Sequence, residues 1–367
     1  MDPIERGMTK PASLLLADGT RFDGEGIGYD ALALGEAVFY TGMTGYEEAL
    51  TDPSYAGQIL TFTYPMIGNY GISRSAAQHS GACVAGAVVK RIARRPSHHA
   101  AVADLPGWLE EQRVPTLTGI DTRALTIALR EHGTIRAALA VGDGALAKME
   151  SALAPYARES STAGLVAEVA ARRVLSYGEE GRGPHVVVLD CGVKRAIVRD
   201  LVALGARLTV LPYTAEREEI LAHAPDGVLI SPGPGDPAEL GATVELLRGL
   251  LGELPMFGVC LGHQLLALAC GGKTYKLPYG HRGGNQPVKD LRAGAVLVTA
   301  HNHGYAVDGA SLPAELEATM INLNDGTNEG FRHKRLPVSA VQFHPEASPG
   351  PFDARYLFGE WISSLRS

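Results

Sequence analysis

The stretch GVCLGHQLLALACGG, residues 258–272, holds one cysteine between two glycines near its start. The apolar run PMFGV, residues 255–259, predicts a strand before Cys260, and the leucine- and alanine-rich run after it predicts a helix. A strand that turns sharply into a helix at Gly-x-Cys-x-Gly lifts the cysteine sulfur out of the sheet, and the glycines are needed because larger flanking side chains would collide in so tight a turn. The positive end of the helix dipole favours a thiolate at that position. The alternative is a cysteine packed in the core, but the paired glycines favour a nucleophile.

The sequence around this turn alternates buried strands with amphipathic helices. The strand-like runs from residue 185 onward are HVVVLD, RLTVLP, GVLIS and PMFGV. The helical runs between them are VKRAIVRDLVALG, TAEREEILAHAP, with Thr214 as its cap, and PAELGATVELLRGLLG. This order predicts a parallel sheet covered by helices on both faces. Ligands of such sheets bind beyond the carboxyl ends of the strands, where Cys260 and the loop SPGPGDP both fall.

A cysteine nucleophile needs a base and a group that orients the base. The run VQFHPEASPGP places His344 at the end of a predicted strand, with Glu346 two residues later. On an extended chain the two side chains point the same way, so the carboxylate can accept a hydrogen bond from the imidazole. The alternative is a loop histidine beside a solvated glutamate. Similarly, the SPGPGDP loop, residues 231–237, either supplies an oxyanion-hole amide together with Leu261 or is a plain strand-to-helix turn.

The remainder of the chain predicts a second domain. The run SLLLADGTRF predicts a hairpin around Asp18, and DTRALTIALREHG predicts a helix that Asp121 caps and Gly133 ends. Composition changes near residue 145, and SYGEEGRGP has the character of an exposed linker. The predicted organisation is an N-terminal domain over residues 1–154, a linker over 155–183 and a C-terminal domain over 184–367.

Composition excludes several classes of function. The 367 residues carry a net charge of -7 and are 46% hydrophobic, so neither nucleic acid nor a membrane is an expected partner. No apolar run is long enough to cross a bilayer, and the N-terminus lacks the apolar centre of a signal peptide. The four cysteines, Cys83, Cys191, Cys260 and Cys270, lie far apart, which predicts free thiols in a reducing cytoplasm.

Two further motifs suggest ligands. The sequence Gly272-Lys273-Thr274 ends like a phosphate-binding loop but has Ala267 where that motif needs glycine. The run His301-Asn302-His303 suggests a metal, yet no third ligand stands at a suitable spacing in the sequence. The expectation is therefore that this chain holds no metal.

Together these motifs resemble a class I glutamine amidotransferase domain. The resemblance is carried by Gly233-Pro234-Gly235-Asp236, by GVCLGHQ and by His344-Pro345-Glu346. The rest of the chain is similar to the small subunit of carbamoyl-phosphate synthetase, from about Ser13 to Trp361. That similarity is carried by GEAVFYTGMTGYEEALTDPSYAGQILTFTYPMIGNYG, GIDTRALT, KLPYGHRGGNQPVKD, NHGYAV and HPEASPGPFD. The fold that it implies is α/β, with a mostly parallel amidotransferase sheet flanked by helices and an N-terminal α/β small-subunit domain.

The resemblance implies roles for individual residues. The nucleophile matches Cys260, the base His344 and the orienting carboxylate Glu346. The residues that match the glutamine-binding positions of the family are Gly42, Gly233, Gly235, Leu261, Gln264, Asn302, Gly304 and Tyr305. Two stretches depart from the family. Gly42 stands where a serine is frequent, so only a backbone contact can remain there. Cys191 and Ala196 replace the phenylalanine and asparagine of DFGVKRN, which predicts local repacking without loss of chemistry.

The resemblance also implies the partners. The small subunit hydrolyses L-glutamine through a thioester, and a separate large subunit uses the ammonia with bicarbonate and two molecules of ATP to make carbamoyl phosphate. ATP and magnesium belong to the large subunit, so this chain needs no cofactor. The product serves arginine and pyrimidine synthesis in the cytoplasm, and heterodimers can assemble into a higher oligomer. The alternatives are the amidotransferase of anthranilate, GMP or CTP synthesis, which the N-terminal motifs disfavour, and a regulatory subunit without activity, which the three catalytic residues disfavour.

Overall fold

The computed structural model describes residues 10–159, 161–180 and 182–365. Contacts between Cα atoms divide the chain into two compact units, with the division between residues 160 and 161. None of the helices in the described ranges is long and apolar enough to span a membrane.

The N-terminal unit is built around a closed β-barrel in the order β1-β2-β6-β5-β4-β3-β7. Its strands are β1 (Lys10–Leu16), β2 (Arg21–Gly28), β3 (Leu32–Tyr40), β4 (Gln58–Phe62), β5 (Gly86–Val88), β6 (Pro115–Thr118) and β7 (Ile135–Val141). The pairs from β3 through β6 are parallel, whereas β1 pairs antiparallel with both β2 and β7. The predicted hairpin around Asp18 is the β1–β2 pair.

Short helices accompany the barrel. They are α1 (Tyr46–Leu50), α2 (Leu105–Glu111), α3 (Thr122–His132), α4 (Asp143–Leu146) and α5 (Met149–Tyr156), with a 3₁₀ turn at Pro53–Tyr55. Helix α3 has the predicted limits: the Asp121 carboxylate accepts hydrogen bonds from two backbone amides of the first turn, and Gly133 is the C-cap. Leu125 and Leu129 on this helix are buried in the barrel core.

The C-terminal unit contains a sheet in the order β14-β13-β15-β16-β17-β12-β11-β9-β10-β8. The strands are β8 (Leu175–Tyr177), β9 (His185–Asp190), β10 (Arg207–Pro212), β11 (Gly227–Ile230), β12 (Met256–Val259), β13 (Thr274–Asp290), β14 (Val296–Val307), β15 (Leu316–Asn322), β16 (Asn328–His333) and β17 (Val338–Val341). The five neighbouring strands β10, β9, β11, β12 and β17 are parallel, as predicted. An antiparallel extension, β13 to β16, continues the sheet and contributes residues to the site described below.

Helices cover both faces of this sheet, and an apolar cluster fills each interface. The helices are α6 (Leu165–Val169), α7 (Arg195–Ala203), α8 (Arg217–Ala222), α9 (Gly241–Leu250), α10 (Leu261–Ala269) and α11 (Tyr356–Ser364). The prediction that Thr214 caps α8 is wrong, because the helix begins at Arg217 with Glu216 as its N-cap. A turn in which the Ala215 amide donates to the Pro212 carbonyl separates Thr214 from the helix.

The segment 155–183, predicted to be a linker that includes the exposed run SYGEEGRGP, contains regular structure that packs on the sheet. Within it, α6 buries Val166 and Val169, and β8 pairs antiparallel with β10 at the end of the sheet. The Ala171 amide also donates a hydrogen bond to the Asp190 carboxylate at the end of β9. Residues from 161 onward thus pack in the C-terminal unit, because the apolar residues between the polar stretches find partners on the sheet.

Candidate active site

Cys260 lies at the sharp turn between β12 and α10. Its backbone has φ 55° and ψ -104°, and a positive φ is energetically costly for any residue other than glycine. A Cβ atom at Gly258 would lie 2.5 Å from the Gly262 carbonyl oxygen, and one at Gly262 would lie 2.2 Å from that of Ile230. The strand–turn–helix geometry predicted from the sequence is therefore present, and both glycines are needed for it.

The sulfur of Cys260 is held in a buried polar environment. The residue is 1% exposed, and its Sγ atom is 3.7 Å from the Asn302 carbonyl oxygen. The side-chain amide of Gln342 donates toward Sγ across 3.7 Å. The Cys260 amide donates to the Val341 carbonyl at 2.9 Å, so the turn is fastened to the end of β17. A cysteine used only for packing would need none of these polar neighbours.

His344 follows β17 by three residues and lies beside the same strand end. Its backbone amide donates to the Ala300 carbonyl at 2.8 Å, and its Nδ1 donates to Glu346 Oε1 at 2.7 Å. The other ring nitrogen, Nε2, is buried and has no hydrogen-bond partner among the described residues. The carboxylate thus fixes the ring and leaves Nε2 for a proton that moves during a reaction.

The electrostatics of this pair favour an imidazolium ion. Burial and the charge of Lys194 lower the pKa of His344, but Glu346 and Cys260 together outweigh them and raise it to about 10. Burial raises the pKa of Glu346, yet Lys194 and His344 lower it to about 2. Glu346 therefore stays ionised and keeps His344 charged at neutral pH. A charged His344 is the partner that a Cys260 thiolate needs.

Lys194 is part of this site, and the sequence analysis did not identify it. Its ammonium group lies 3.0 Å from Glu346 Oε1 and donates a 2.7 Å hydrogen bond to the Ala347 carbonyl. The side chain is 2% exposed. Lys194 lies near the start of the run VKRAIVRDLVALG, which was predicted only to be a helix. Lys194 supplies a second positive charge, besides that of His344, next to the buried Glu346 carboxylate.

The loop after β11 carries Gly233 and Gly235. A Cβ atom at Gly233 would lie 2.3 Å from the Cys191 carbonyl oxygen, and Gly235 has φ +90°. The Thr162 hydroxyl accepts a hydrogen bond from the Asp236 amide at 2.8 Å and donates to Glu239 at 2.6 Å. Thr162, which falls within the predicted linker, therefore holds this loop in place. The sequence holds no local signal for this role, because Thr162 and Asp236 are 74 positions apart.

The other candidate glutamine-binding residues of this unit lie on α10 and β14. Leu261 is the first residue of α10, so its amide is outside the intrahelical hydrogen-bond pattern. Gln264 donates to the Tyr305 carbonyl at 2.7 Å and to Gln342 at 3.0 Å. Asn302, Gly304 and Tyr305 follow one another along β14. The contact between Asn302 and Cys260 places this part of β14 next to the thiol.

Gly42 is in the N-terminal unit, between β3 and α1. A Cβ atom there would lie 2.1 Å from the Tyr40 hydroxyl oxygen. The frequent serine of relatives would therefore require the Tyr40 ring to move. A glutamine contact by the Gly42 backbone stays a prediction.

The structure brings two further candidate ligands to His301 and His303, which the sequence did not offer at a suitable spacing. His281 from β13 and Glu329 from β16 lie with them in one buried group, whose candidate ligand atoms are all within 4.8 Å of one another. Sequence spacing could not show this, because the four residues come from three strands of the antiparallel extension.

Comparisons with known proteins agree with this geometry. Residues 187–363 match the family model described as glutamine amidotransferase class-I. Residues 14–139 match the one described as carbamoyl-phosphate synthase small chain, CPSase domain. A carbamoyl phosphate synthase small chain of Symbiobacterium thermophilum is 49% identical over 95% of this chain and 97% of the relative. One of Archaeoglobus fulgidus is 47% identical over 97% and 99%.

The C-terminal unit is accordingly a class I glutamine amidotransferase domain. The two family models match residues 14–139 and 187–363, and the two relatives are covered over 97% and 99% of their length. The chain belongs to the carbamoyl phosphate synthase small chain family. It is the glutamine amidotransferase subunit of a ligase, as the resemblance implied.

The replacement Glu346→Gln should move the alkaline limit of glutamine hydrolysis to lower pH. Without the carboxylate, burial and Lys194 both lower the pKa of His344, so the charged imidazole is lost earlier as pH rises. We expect a shift of about 1–3 pH units in the alkaline limb of kcat/KM. The control is Glu360→Gln, at an exposed position of α11, which should leave the profile unchanged. An unshifted profile in Glu346→Gln would contradict the assignment of the orienting group.

Proposed function

We propose that Cys260, His344 and Glu346 hydrolyse L-glutamine through a covalent thioester and release ammonia for carbamoyl phosphate synthesis. The observation that carries the proposal is the buried chain of groups from Lys194 through Glu346 to His344, with the unpartnered Nε2 on the side of the ring away from Glu346. Such a chain keeps one proton available on a fixed imidazole next to a thiol.

The proposed reaction has two halves. The Cys260 thiolate attacks the side-chain amide carbon of glutamine and forms a carbon–sulfur bond. The resulting oxyanion collapses and expels the nitrogen, which takes a proton from His344 and leaves as ammonia. His344, now neutral, removes a proton from water, which attacks the thioester and releases glutamate and the thiolate.

The oxyanion is expected to bind between two backbone amides, those of Leu261 and Gly235. The first is at the start of α10, where the helix dipole also favours negative charge. The second is on the loop held by Thr162. Each such donor typically contributes about 3 kcal/mol to transition-state stabilisation. This model gives a physical reason for the two rigid glycine turns on either side of the thiol.

The proposed substrate contacts use the remaining candidates. Gly233, Gln264 and the β14 residues Asn302, Gly304 and Tyr305 are proposed to contact the bound glutamine, and the Asn302 carbonyl next to the Cys260 sulfur supports this for β14. The side-chain amide of Gln264 donates to two acceptors, so its orientation is fixed before glutamine binds. The Gly42 backbone is proposed as a further contact.

The partner of this subunit is proposed to be a carbamoyl-phosphate synthetase large subunit. The names of the relatives, each a small chain, support a separate large chain that uses the ammonia. We assign ATP and magnesium to that chain and much of its docking surface to the N-terminal unit, whose barrel matches the small-chain-specific family model. A cytoplasmic location, service to arginine and pyrimidine synthesis, and assembly of heterodimers into a higher oligomer complete the proposal.

Selective labelling tests the nucleophile. A glutamine-like electrophile should modify Cys260 and spare the other thiols. Burial raises the pKa of Cys83 to about 12 and that of Cys270 to about 11, and it also raises that of Cys191. These thiols stay protonated and lack a neighbouring imidazolium. Peptide mapping by mass spectrometry gives the labelled site, and added glutamine should protect it. Equal labelling of all four cysteines in the folded protein would reject the assignment.

A further inference from the structure

Four buried side chains meet outside the catalytic chain of groups. They are His281 on β13, His301 and His303 on β14, and Glu329 on β16, and each is at most 7% exposed. His301 Nδ1 is 3.1 Å from His303 Nε2 and 3.7 Å from Glu329 Oε2. His281 Nδ1 is 3.6 Å from Glu329 Oε1. One donor atom from each residue thus faces a common centre.

The outward nitrogens of two of these rings have acceptors that fix their tautomers. His303 Nδ1 is 2.8 Å from the Tyr305 carbonyl oxygen, which can only accept, so this nitrogen carries the hydrogen. His281 Nε2 is 2.9 Å from the Asp325 carboxylate. A carboxylate accepts hydrogen bonds, so this nitrogen carries the hydrogen. In the neutral rings, His303 Nε2 and His281 Nδ1 therefore present lone pairs to the centre.

The third ring is oriented in the same way by Thr299. The Thr299 hydroxyl donates its single hydrogen to the Gln286 carbonyl at 2.9 Å. It must then accept from His301 Nε2, which lies 2.7 Å away. The lone pair of His301 Nδ1 consequently faces that of His303 Nε2 at 3.1 Å. Two facing lone pairs repel, and a cation between them removes the repulsion.

Two atoms at the centre are also left without hydrogen bonds. Among the described residues, His281 Nδ1 and Glu329 Oε2 are buried polar atoms with no hydrogen-bond partner. Buried polar atoms are rarely unsatisfied in folded proteins, because desolvation without a partner is costly. A metal ion there would satisfy them together.

We propose that His281, His301, His303 and Glu329 bind one zinc ion. Imidazole nitrogen and a single carboxylate suit zinc, whereas magnesium and calcium prefer all-oxygen ligands. Tetrahedral zinc with bonds of about 2.0–2.1 Å has ligand atoms about 3.3–3.4 Å apart. The separations from His301 Nδ1 to His303 Nε2 and to Glu329 Oε2, 3.1 and 3.7 Å, lie on either side of that value, and one ligand atom from each of the four residues lies within 4.8 Å of the others. Outer hydrogen bonds to a carboxylate, a carbonyl and a hydroxyl are the supports that zinc-binding histidines usually have.

The zinc would act as a structural ion. Four protein ligands leave no open position of the kind that catalytic zinc keeps. The ion would join β13, β14 and β16, three strands of the antiparallel extension. It would also fix both neighbours of Asn302, whose carbonyl contacts the Cys260 sulfur. Zinc would thus position the main chain of β14 next to the Cys260 sulfur, and its importance for glutamine hydrolysis rests on the proposed function.

Metal analysis of the full chain tests the site. The wild-type protein, purified and dialysed against zinc-free buffer, should retain about one zinc per chain. The variants His281→Gln and Glu329→Gln should lose at least about 90% of it, since each removes one of four ligands. His333→Gln is the matched control, because it changes a histidine of the same strand as Glu329 outside the group. Cys260→Ser should also retain zinc, which separates this site from the catalytic proposal.

Two further measurements keep the test decisive. Wild-type protein stripped with a chelator should unfold at lower temperature and regain its midpoint with zinc. Loaded with cobalt instead, it should show the visible absorption of four-coordinate cobalt with nitrogen and oxygen ligands. Failure of the wild type to bind zinc or cobalt would overturn the proposal. Equal zinc content in the wild type and in both folded ligand variants would also overturn it. If those variants do not fold, a cobalt spectrum of the wild type without histidine ligation would overturn it.

Discussion

Replacing Cys260 with serine should abolish carbamoyl phosphate synthesis from glutamine and leave synthesis from ammonium salt intact. A serine hydroxyl at the elbow keeps the shape of the turn but has a far higher pKa than a thiol, and a charged His344 cannot remove its proton. The loss should be at least about a thousandfold in kcat, the range seen when a nucleophile is removed. The measurement compares product formed from glutamine with product formed from ammonium in the complex with the large subunit.

Two further variants sharpen that comparison. His344→Asn should give the same pattern, because it removes the group that both donates and accepts the proton. Cys270→Ser, at the other end of helix α10, is the control and should keep both activities. If Cys260→Ser lost ammonium-dependent synthesis as well, with its fold and complex intact, Cys260 would do more than release ammonia and the proposed division of labour would fail.

The second large effect concerns stability: Lys194→Met should destabilise the C-terminal unit by about 3–5 kcal/mol. The change leaves the Glu346 carboxylate, whose side chain is fully buried, without its lysine partner 3.0 Å away. The free energy of unfolding in urea is the measurement. Trp361 fluorescence reports on the C-terminal unit in a background where Trp108 of the N-terminal unit is replaced by phenylalanine.

A double variant separates loss of charge balance from loss of packing. Lys194→Met with Glu346→Gln should be more stable than Lys194→Met alone, since no uncompensated carboxylate remains in the core. Lys289→Met removes an exposed lysine of β13 and should change the stability by less than about 0.5 kcal/mol. If the double variant were as unstable as the sum of its single changes, packing would account for the effect of Lys194 and the ion pair would not.

The elbow and its histidine could be predicted because their signals are local. Gly258, Cys260 and Gly262 are adjacent, and the steric reason for the glycines depends only on the turn that they form. His344 and Glu346 are two residues apart at the end of an apolar run, so their hydrogen bond needs little knowledge of the fold. The parallel order of the central strands followed equally from alternating apolar runs.

Lys194 could not be found in this way, because its partner Ala347 lies 153 positions further along the chain. A lysine at the start of a predicted helix has the same sequence pattern whether solvent or a carboxylate surrounds it. The same limit applies to His281 and Glu329. Their meeting with His301 depends on the register of the antiparallel strands, and alternating polar residues in β13 to β16 do not define that register.

The misplaced linker has a related cause. The segment 155–183 is rich in alanine, glycine and charge, and these residues have weak preferences of their own. Its short strand β8 exists because β10 offers an unpaired edge, which is a property of the sheet. Thr162 likewise acquires its role from the Asp236 amide that it meets in the folded chain.

The nature of the atoms around each glycine determines how far this site can vary among descendants of the same gene. At positions 233, 258 and 262 the first obstacle to a methyl group is a carbonyl oxygen of the main chain, at 2.2 to 2.5 Å, and it cannot rotate away. At position 304 the nearest atom is the end of the Arg282 side chain, at 3.6 Å, an ordinary contact. Alanine can therefore replace Gly304 during evolution, whereas Gly233, Gly258 and Gly262 cannot be replaced without moving the main chain.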